Sequence, residues 1–118
     1  TGEAVPTVLP TTSVAEATRE ISRGGIGMTV VITPEREVLG IFTDGDLRRA
    51  IVNRLDLQAL TVANVMSGKP RLIGPDKLAA EAVEMMEKYK INQIPVVDSN
   101  GVLIGALNMH DLFQAKAL

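Results

Sequence analysis

The sequence predicts an α+β protein built from two tandem repeats, each with the element order β-α-β-β-α. The first observation is self-similarity: residues 8–50 align without a gap with residues 73–115, an offset of 65 residues, and ten of the aligned pairs are identical. The second is periodicity, because each copy shows apolar residues at helical spacing followed by two short apolar runs. The third is composition, since 46% of the 118 residues are hydrophobic and can fill one core. We expect the copies to pack with pseudo-two-fold symmetry and to form clefts between them.

The first helix of each copy is predicted from its start signal. In copy one, Thr12 or Ser13 precedes the helix, and Glu16 stands at capping-box spacing. In copy two, Asp76 provides the corresponding start. The apolar positions at helical spacing are Val14, Ala17 and Ile21 in copy one, and Leu78, Ala82, Met85 and Met86 in copy two.

Short apolar runs predict three strands in each copy, and the last two of each copy form a hairpin. The turn of the second hairpin contains the pair Asn100-Gly101, which favours tight hairpin turns. A final helix is expected to begin near Gly45 and near His110. The predicted strands are residues 7–9, 28–33 and 38–42 in copy one, and residues 71–73, 94–98 and 102–107 in copy two.

The predicted domain organisation is repeat 1 at residues 1–54, a connector at residues 55–70 and repeat 2 at residues 71–118. We expect the connector to pack against the repeats and not to be a free tether, because it carries apolar residues at Leu57, Leu60, Val62 and Val65. The chain has no initiator methionine, which suggests a piece of a longer protein.

Charge and composition argue against several classes of partner. The net charge of −2 gives no basic field for nucleic-acid phosphates, so no nucleic-acid partner is expected. The longest apolar runs are too short to cross a bilayer, so no membrane partner is expected. The absence of cysteine excludes disulfides and thiolate metal sites, which is compatible with a cytoplasmic location. No metal site is predicted.

The strongest site signal is Thr43 followed by Asp46, where a strand turns into a helix. Two interpretations stand side by side. The pair is typical of a helix cap, in which the hydroxyl and the carboxylate satisfy backbone N–H groups. Alternatively, the Thr43 hydroxyl and the helix N-terminus bind a phosphate, and Asp46 accepts both hydroxyls of a ribose. Arg48, on the first turn, either faces solvent or binds the anion of a ligand.

These motifs resemble the CBS domain, whose tandem pairs form Bateman modules. The resemblance rests on residues 40–46 (Gly-Ile-Phe-Thr-Asp-Gly-Asp), residues 94–98 (Ile-Pro-Val-Val-Asp) and their constant offset. Residues 40–49 and 109–112 are similar to the regulatory CBS pair of bacterial D-arabinose 5-phosphate isomerases, in which a sugar-isomerase domain precedes the pair. Those enzymes supply the precursor of Kdo, a sugar of lipopolysaccharide. Residues 62–66 match the segment with which the family begins a repeat, so the first strand of copy one is expected to be truncated.

The resemblance implies a ligand-sensing module that is not itself an enzyme, with no catalytic cofactor. Its implied regulatory ligand is an adenine nucleotide such as AMP or ATP, or CMP-Kdo. Its implied partners are an N-terminal sugar-isomerase domain and a second copy, forming a homodimer through the CBS helices. A ligand-independent dimerisation or scaffold role is the alternative.

The two clefts are expected to differ, because Asn108 replaces the threonine of copy one. His110 lies beside Asp111, but no third orienting group is apparent, so no catalytic residue is predicted. The implied ligand-binding residues are Thr43, Asp46, Arg48, Gly27, Met28, Thr29, Met66, Lys69, Arg71, Asn92, Gln93, Ile94, Pro95, Asn108, His110 and Asp111.

Overall fold

Copy one consists of a three-stranded sheet with two helices packed beside it. The computed structural model describes residues 5–77 and 79–108. The elements of copy one are β1 (Thr7–Val8), α1 (Val14–Gly24), β2 (Met28–Ile32), β3 (Val38–Thr43) and α2 (Asp44–Val52). Strand β1 runs parallel to β2, and β2 pairs with β3 in antiparallel orientation.

Helix α1 begins as its sequence signals predict. Ser13 is the N-cap, and its hydroxyl accepts a hydrogen bond from the Glu16 backbone N–H at 3.1 Å. The helix ends at Gly25, which adopts the left-handed conformation with φ 72°. The predicted apolar positions Val14, Ala17 and Ile21 are all buried. This stripe fixes α1 against the sheet of copy one.

Copy two repeats the helix and the hairpin. Its elements are α3 (Ala79–Tyr89), β4 (Gln93–Val97) and β5 (Leu103–Asn108), and the two strands are antiparallel. The start of α3 was predicted at Asp76, and the described part of the helix begins at Ala79. The final helix predicted near His110 lies outside the described residues.

The prediction of a full strand at residues 71–73 is wrong. This segment forms only one parallel bridge, between Ile73 and Val96. The reason lies in the neighbouring strand. In copy one, the Val30 N–H donates to the Pro6 carbonyl at 3.0 Å. The position equivalent to Val30 in copy two is Pro95, which has no N–H to donate. The ladder therefore loses a hydrogen bond at that point.

The connector packs against copy one, as predicted. A short 3₁₀ turn at Val62–Asn64 buries the Val62 side chain completely. The Val62 N–H donates to the Thr12 carbonyl at 2.7 Å, and the Leu60 carbonyl accepts from the Val14 N–H at 3.0 Å. Leu57, Leu60, Val65 and Met66 complete the contact with the core of copy one.

A separate cluster of buried side chains joins the two copies. Leu103 of β5 packs with Val5, Met28, Val30 and Ile32, all of which belong to copy one. Backbone hydrogen bonds between the two hairpins support this core, from the N–H of Val38 to the carbonyl of Gly101 at 3.1 Å and from the N–H of Leu103 to the carbonyl of Arg36 at 2.8 Å. The two sheets thus share one core.

Candidate functional site

A cleft of about 420 Å³ opens between the two copies. The start of β2, the end of β3 and the first turn of α2 form one side, and the segment from α3 to β4 forms the other. A cleft of this size is within the range of small-molecule sites. Its lining residues are Gly27, Met28, Ile41, Thr43, Asp44, Gly45, Arg48, Lys90, Ile91, Asn92 and Gln93.

Gly27 lines the cleft at the point where copy one contacts copy two. Its backbone is left-handed, with φ 78°, and its carbonyl accepts a hydrogen bond from the Asp44 N–H at 3.2 Å. The side-chain amide of Gln93, from copy two, donates to the neighbouring Ile26 carbonyl. A Cβ atom at Gly27 would lie 3.3 Å from both the Asp44 carboxylate and the Gln93 amide nitrogen. Glycine here satisfies the backbone conformation and leaves room for both side chains.

Thr43 and Asp46 form a complete capping box at the start of α2. The Thr43 hydroxyl oxygen accepts from the Asp46 N–H at 3.2 Å, and the Asp46 carboxylate accepts from the Thr43 N–H at 3.0 Å. The Thr43 hydroxyl also donates to the same carboxylate at 3.1 Å. The capping interpretation of this motif is therefore confirmed. Thr43 lines the cleft in addition to capping the helix.

The carboxylate of Asp46 has further partners that turn it away from the cleft. It pairs with the Arg49 guanidinium and accepts from the Ser67 hydroxyl of the connector at 3.2 Å. Only 5% of Asp46 is exposed, and the residue is absent from the cleft lining. A ligand hydroxyl can reach this carboxylate only by displacing Ser67 or Arg49.

The charged groups that do line the cleft are Asp44, Arg48 and Lys90. The recorded ion pairs of the described residues involve none of the three. The described part of the lining thus offers one carboxylate and two cations, with one cation from each copy. Such a surface can bind a ligand that carries both hydroxyl and anionic groups.

Of the residues predicted to bind ligand, the structure brings six together in the cleft. Sequence reasoning missed the other five lining residues. Lys90 and Ile91 directly precede the predicted Asn92, so extending that segment by one turn would have found them. Asp44 and Gly45 lie inside the Thr43–Asp46 motif, which specifies only its first and last residues. The six that meet are Gly27, Met28, Thr43, Arg48, Asn92 and Gln93.

Other predicted residues of the strands lie outside the cleft lining. Ile94 and Pro95 are buried in copy two, and Asn108 pairs with Gln93 across the hairpin. Thr29 is completely buried, and its hydroxyl has no hydrogen-bond partner in the described part of the chain.

Three further residues that the resemblance implies as ligand contacts do not line this cleft. Met66 packs on the core of copy one, and Lys69 is exposed beyond the cleft. The guanidinium of Arg71 lies over the ring of Tyr89, 3.8 Å from its centroid. His110 and Asp111 lie outside the described residues. Their contacts with a ligand stay predictions.

Two features are absent from the described part of the chain. Across residues 5–77 and 79–108, no group of three or more histidine, cysteine, aspartate or glutamate side chains is placed to hold a metal ion. In the same part of the chain, no helix has the length and apolarity needed to cross a membrane.

Comparison with known proteins gives a consistent family. The family model for the CBS domain matches residues 3–53 and residues 62–118. The arabinose 5-phosphate isomerase KdsD of Pseudomonas aeruginosa is 46% identical over 117 residues, which is 99% of this chain and 36% of that protein. The chain therefore spans about a third of the length of this curated relative.

Solved structures show the same fold. A putative signal-transduction protein with CBS domains from Burkholderia ambifaria superposes with a TM-score of 0.87 at 27% identity, covering 98% of this chain and 84% of that one. A CBS domain protein from Pyrobaculum aerophilum, complexed with AMP, superposes with a TM-score of 0.84 at 21% identity, covering 100% of this chain and 98% of that one.

Proposed function

Since the chain belongs to the CBS domain family and carries two such domains, we propose that it senses a nucleotide or nucleotide-sugar in the cleft between them and thereby regulates an attached sugar-phosphate isomerase. The observation that carries this proposal is the cleft itself. It has the size of a small-molecule site, and Thr43, Asp44 and Arg48 meet Lys90 and Gln93 across it. A ligand held there contacts both copies, so its binding favours one relative arrangement of the copies over another.

The polar groups of the cleft suit a ribose phosphate. The first turn of α2 carries the positive end of the helix dipole, which favours a phosphate, and the N–H groups of Asp44 and Asp46 already have partners within copy one. Two carboxylates are candidates for the ribose hydroxyls. Asp46 is the one that the family resemblance implies, and it must first release Ser67 or Arg49. Asp44 already lines the cleft.

The experiment is calorimetric titration of the chain with AMP, ATP and CMP-Kdo. We expect at least one of them to bind with a Kd below about 1 mM, equivalent to roughly 4 kcal/mol of binding free energy. AMP is chosen because the Pyrobaculum aerophilum protein of the same fold is complexed with it. CMP-Kdo is chosen because it combines a ribose, a phosphate and a carboxylate. If none of the three binds in this range, ligand sensing is ruled out.

Paired variants identify the carboxylate that binds the ribose. Asp44→Asn removes a carboxylate that lines the cleft, whereas Asp46→Asn also disturbs the capping box and costs about 1 kcal/mol of stability. A loss of affinity in Asp46→Asn alone supports the inward movement of Asp46 on binding. A loss in Asp44→Asn alone assigns the ribose contact to Asp44.

The attached enzyme follows from the relatives and is likewise part of the proposal. A chain similar to this one forms about a third of the Pseudomonas aeruginosa isomerase. In a protein that joins this pair to such a domain, we expect the bound ligand to change the rate of interconversion of arabinose 5-phosphate and ribulose 5-phosphate. An isomerase assay with and without the ligand measures this effect, and an unchanged rate argues against regulation.

A scaffold role is the second candidate, and one observation favours it. Ile51 and Val52, near the end of α2, are 57% and 72% exposed, which leaves apolar surface available for a second copy. We expect a dimer through the CBS helices. Sedimentation with and without nucleotide separates the roles, because a pure scaffold dimerises equally well in both conditions.

A further inference from the structure

Lys90 has an uncommon backbone conformation for its residue type. It follows the last residue of α3, and its φ of 55° lies in the left-handed region. Glycine is the usual residue at such a helix end, because other side chains meet steric hindrance there. The equivalent residue of copy one, 65 positions earlier, is Gly25 with φ 72°. Both copies therefore make the same turn, but copy two makes it with a lysine.

The location of Lys90 supplies a role for its side chain. Lys90 lines the cleft from copy two, while Arg48 lines it from copy one. The recorded ion pairs of the described residues include neither side chain. Within residues 5–77 and 79–108, Asp44 is the one acidic residue that lines the cleft, so the described part of the lining carries a net charge of +1. An anion placed between the two cations would neutralise them and join the copies.

The left-handed backbone conformation alone does not single out Lys90, because two other basic residues share it. Arg36 has φ 67° at the tip of the first hairpin, and Arg54 has φ 58° just after α2. Neither lines the cleft. What distinguishes Lys90 is the combination of this turn with a position in the lining of the cleft, to which Arg48 of copy one also belongs.

We infer that Lys90 determines the specificity of the cleft for phosphorylated ligands: together with Arg48 it binds one phosphate group from the side of copy two, so that the phosphate links the copies. The inference rests on the proposed function in taking this cleft as the ligand site. It adds that the phosphate, and not the base, carries the contact between the copies.

The test compares two variants. Each loses one positive charge and places glycine where the parent chain has a non-glycine residue with positive φ. Lys90→Gly removes the cation from the cleft and introduces the residue that copy one has at this position. Arg54→Gly is the matched control outside the cleft. Thermal unfolding checks that both are folded, and we expect both to melt no lower than the parent chain because glycine favours a left-handed turn.

Each protein is titrated with AMP, with adenosine and with inorganic pyrophosphate. We expect the parent chain and Arg54→Gly to bind AMP at least about 10-fold more tightly than adenosine, and Lys90→Gly to lose this preference. Lys90→Arg should retain most of it. An undiminished preference in Lys90→Gly overturns the inference, as does an equal loss in Arg54→Gly, which would indicate a general effect of net charge.

The outcomes of these titrations distinguish a failure of the role of Lys90 from a failure of the proposed function. Equal binding of adenosine and AMP by the parent chain overturns the role of Lys90 and leaves ligand sensing intact. Binding of pyrophosphate that depends on Lys90, without binding of any nucleotide, supports the role of Lys90 and counts against the nucleotide sensor. No binding of AMP, adenosine or pyrophosphate overturns the inference together with its premise.

Discussion

Thr29 lies in the middle of the copy-one sheet with its side chain completely buried. Its neighbours across and along the strand are Phe42 and Val31, both of which belong to the core on the helix side of the sheet. The hydroxyl has no hydrogen-bond partner in the described part of the chain. Burial of a hydroxyl without a partner is unfavourable, so this position reduces the stability of the fold.

Replacing Thr29 with valine should stabilise the protein. The substitution removes the buried hydroxyl, and we expect the free energy of unfolding to rise by about 1 kcal/mol. Chemical denaturation measures the change. The reciprocal control is Val31→Thr on the same face of β2, which should lower stability by a similar amount. Nucleotide titration of Thr29→Val gives a second result: unchanged affinity excludes Thr29 as a ligand contact, and lost affinity supports the contact predicted from sequence.

At the residue scale, the sequence indicated six of the residues that line the cleft but did not settle the role of each one. The spacing of Thr43 and Asp46 predicted both a cap and a ligand contact, because both functions use the same atoms at the start of a helix. The Asp46 carboxylate also accepts a hydrogen bond from Ser67, which is 21 residues away in the chain and contacts it through tertiary packing. Spacing along one segment carries no information about such a partner.

Gly40 illustrates how the connector is fitted to the sheet at the scale of elements. The N–H of Ile41 donates to the carbonyl of Ser67 at 3.1 Å, and the N–H of Ser67 donates to the carbonyl of Ile41 at 2.9 Å. A Cβ atom at Gly40 would lie 2.6 Å from the Ser67 carbonyl oxygen and 2.9 Å from the Met66 sulfur. The first distance is too short for van der Waals contact, and the oxygen belongs to backbone that the hydrogen bonds hold in place.

Gly40→Ala should therefore separate the connector from β3. We expect a loss of about 1–3 kcal/mol in the free energy of unfolding, as for other overpacked sites. Gly68→Ala is the control within the same connector, because a Cβ atom there would have no neighbour within 4 Å. Chemical denaturation of both variants measures the difference. Equal stability of the two would show that the connector can move away from β3 at little cost.

The order of the elements could be predicted from periodicity, whereas the strength of each pairing could not. The hairpins and the first helix of copy one follow from local patterns, and these were predicted closely. The pairing of residues 71–73 depended on Pro95 in a neighbouring strand, so its reduction to one bridge at Ile73 could not be seen in the segment itself. Repetition in sequence therefore predicts equivalent elements, but a single proline changes how well they pair.

On the scale of the whole molecule, we expect the cluster that both copies share to make them unfold as one unit. Val5 and the first-copy residues Met28 and Val30 are buried against Leu103 of the second copy. Neither copy could keep these side chains away from water alone, because each supplies only part of the cluster. This coupling is also what makes a cleft between the copies suitable for regulation, since a ligand that shifts one copy must move the other.

Leu103→Ala should weaken both copies together. Leu103 is 2% exposed, and its truncation is expected to cost about 2–5 kcal/mol of unfolding free energy through lost contacts and a residual cavity. Ile104→Ala is the control from the next position of β5, where the side chain is 40% exposed and a much smaller loss is expected.

Amide hydrogen exchange distinguishes a shared core from a local one. If the core is shared, the Val30 amide in copy one loses protection along with the amides of β4. A loss confined to β4 and β5 would mean that the copies unfold independently and that the cleft cannot transmit a signal through this core.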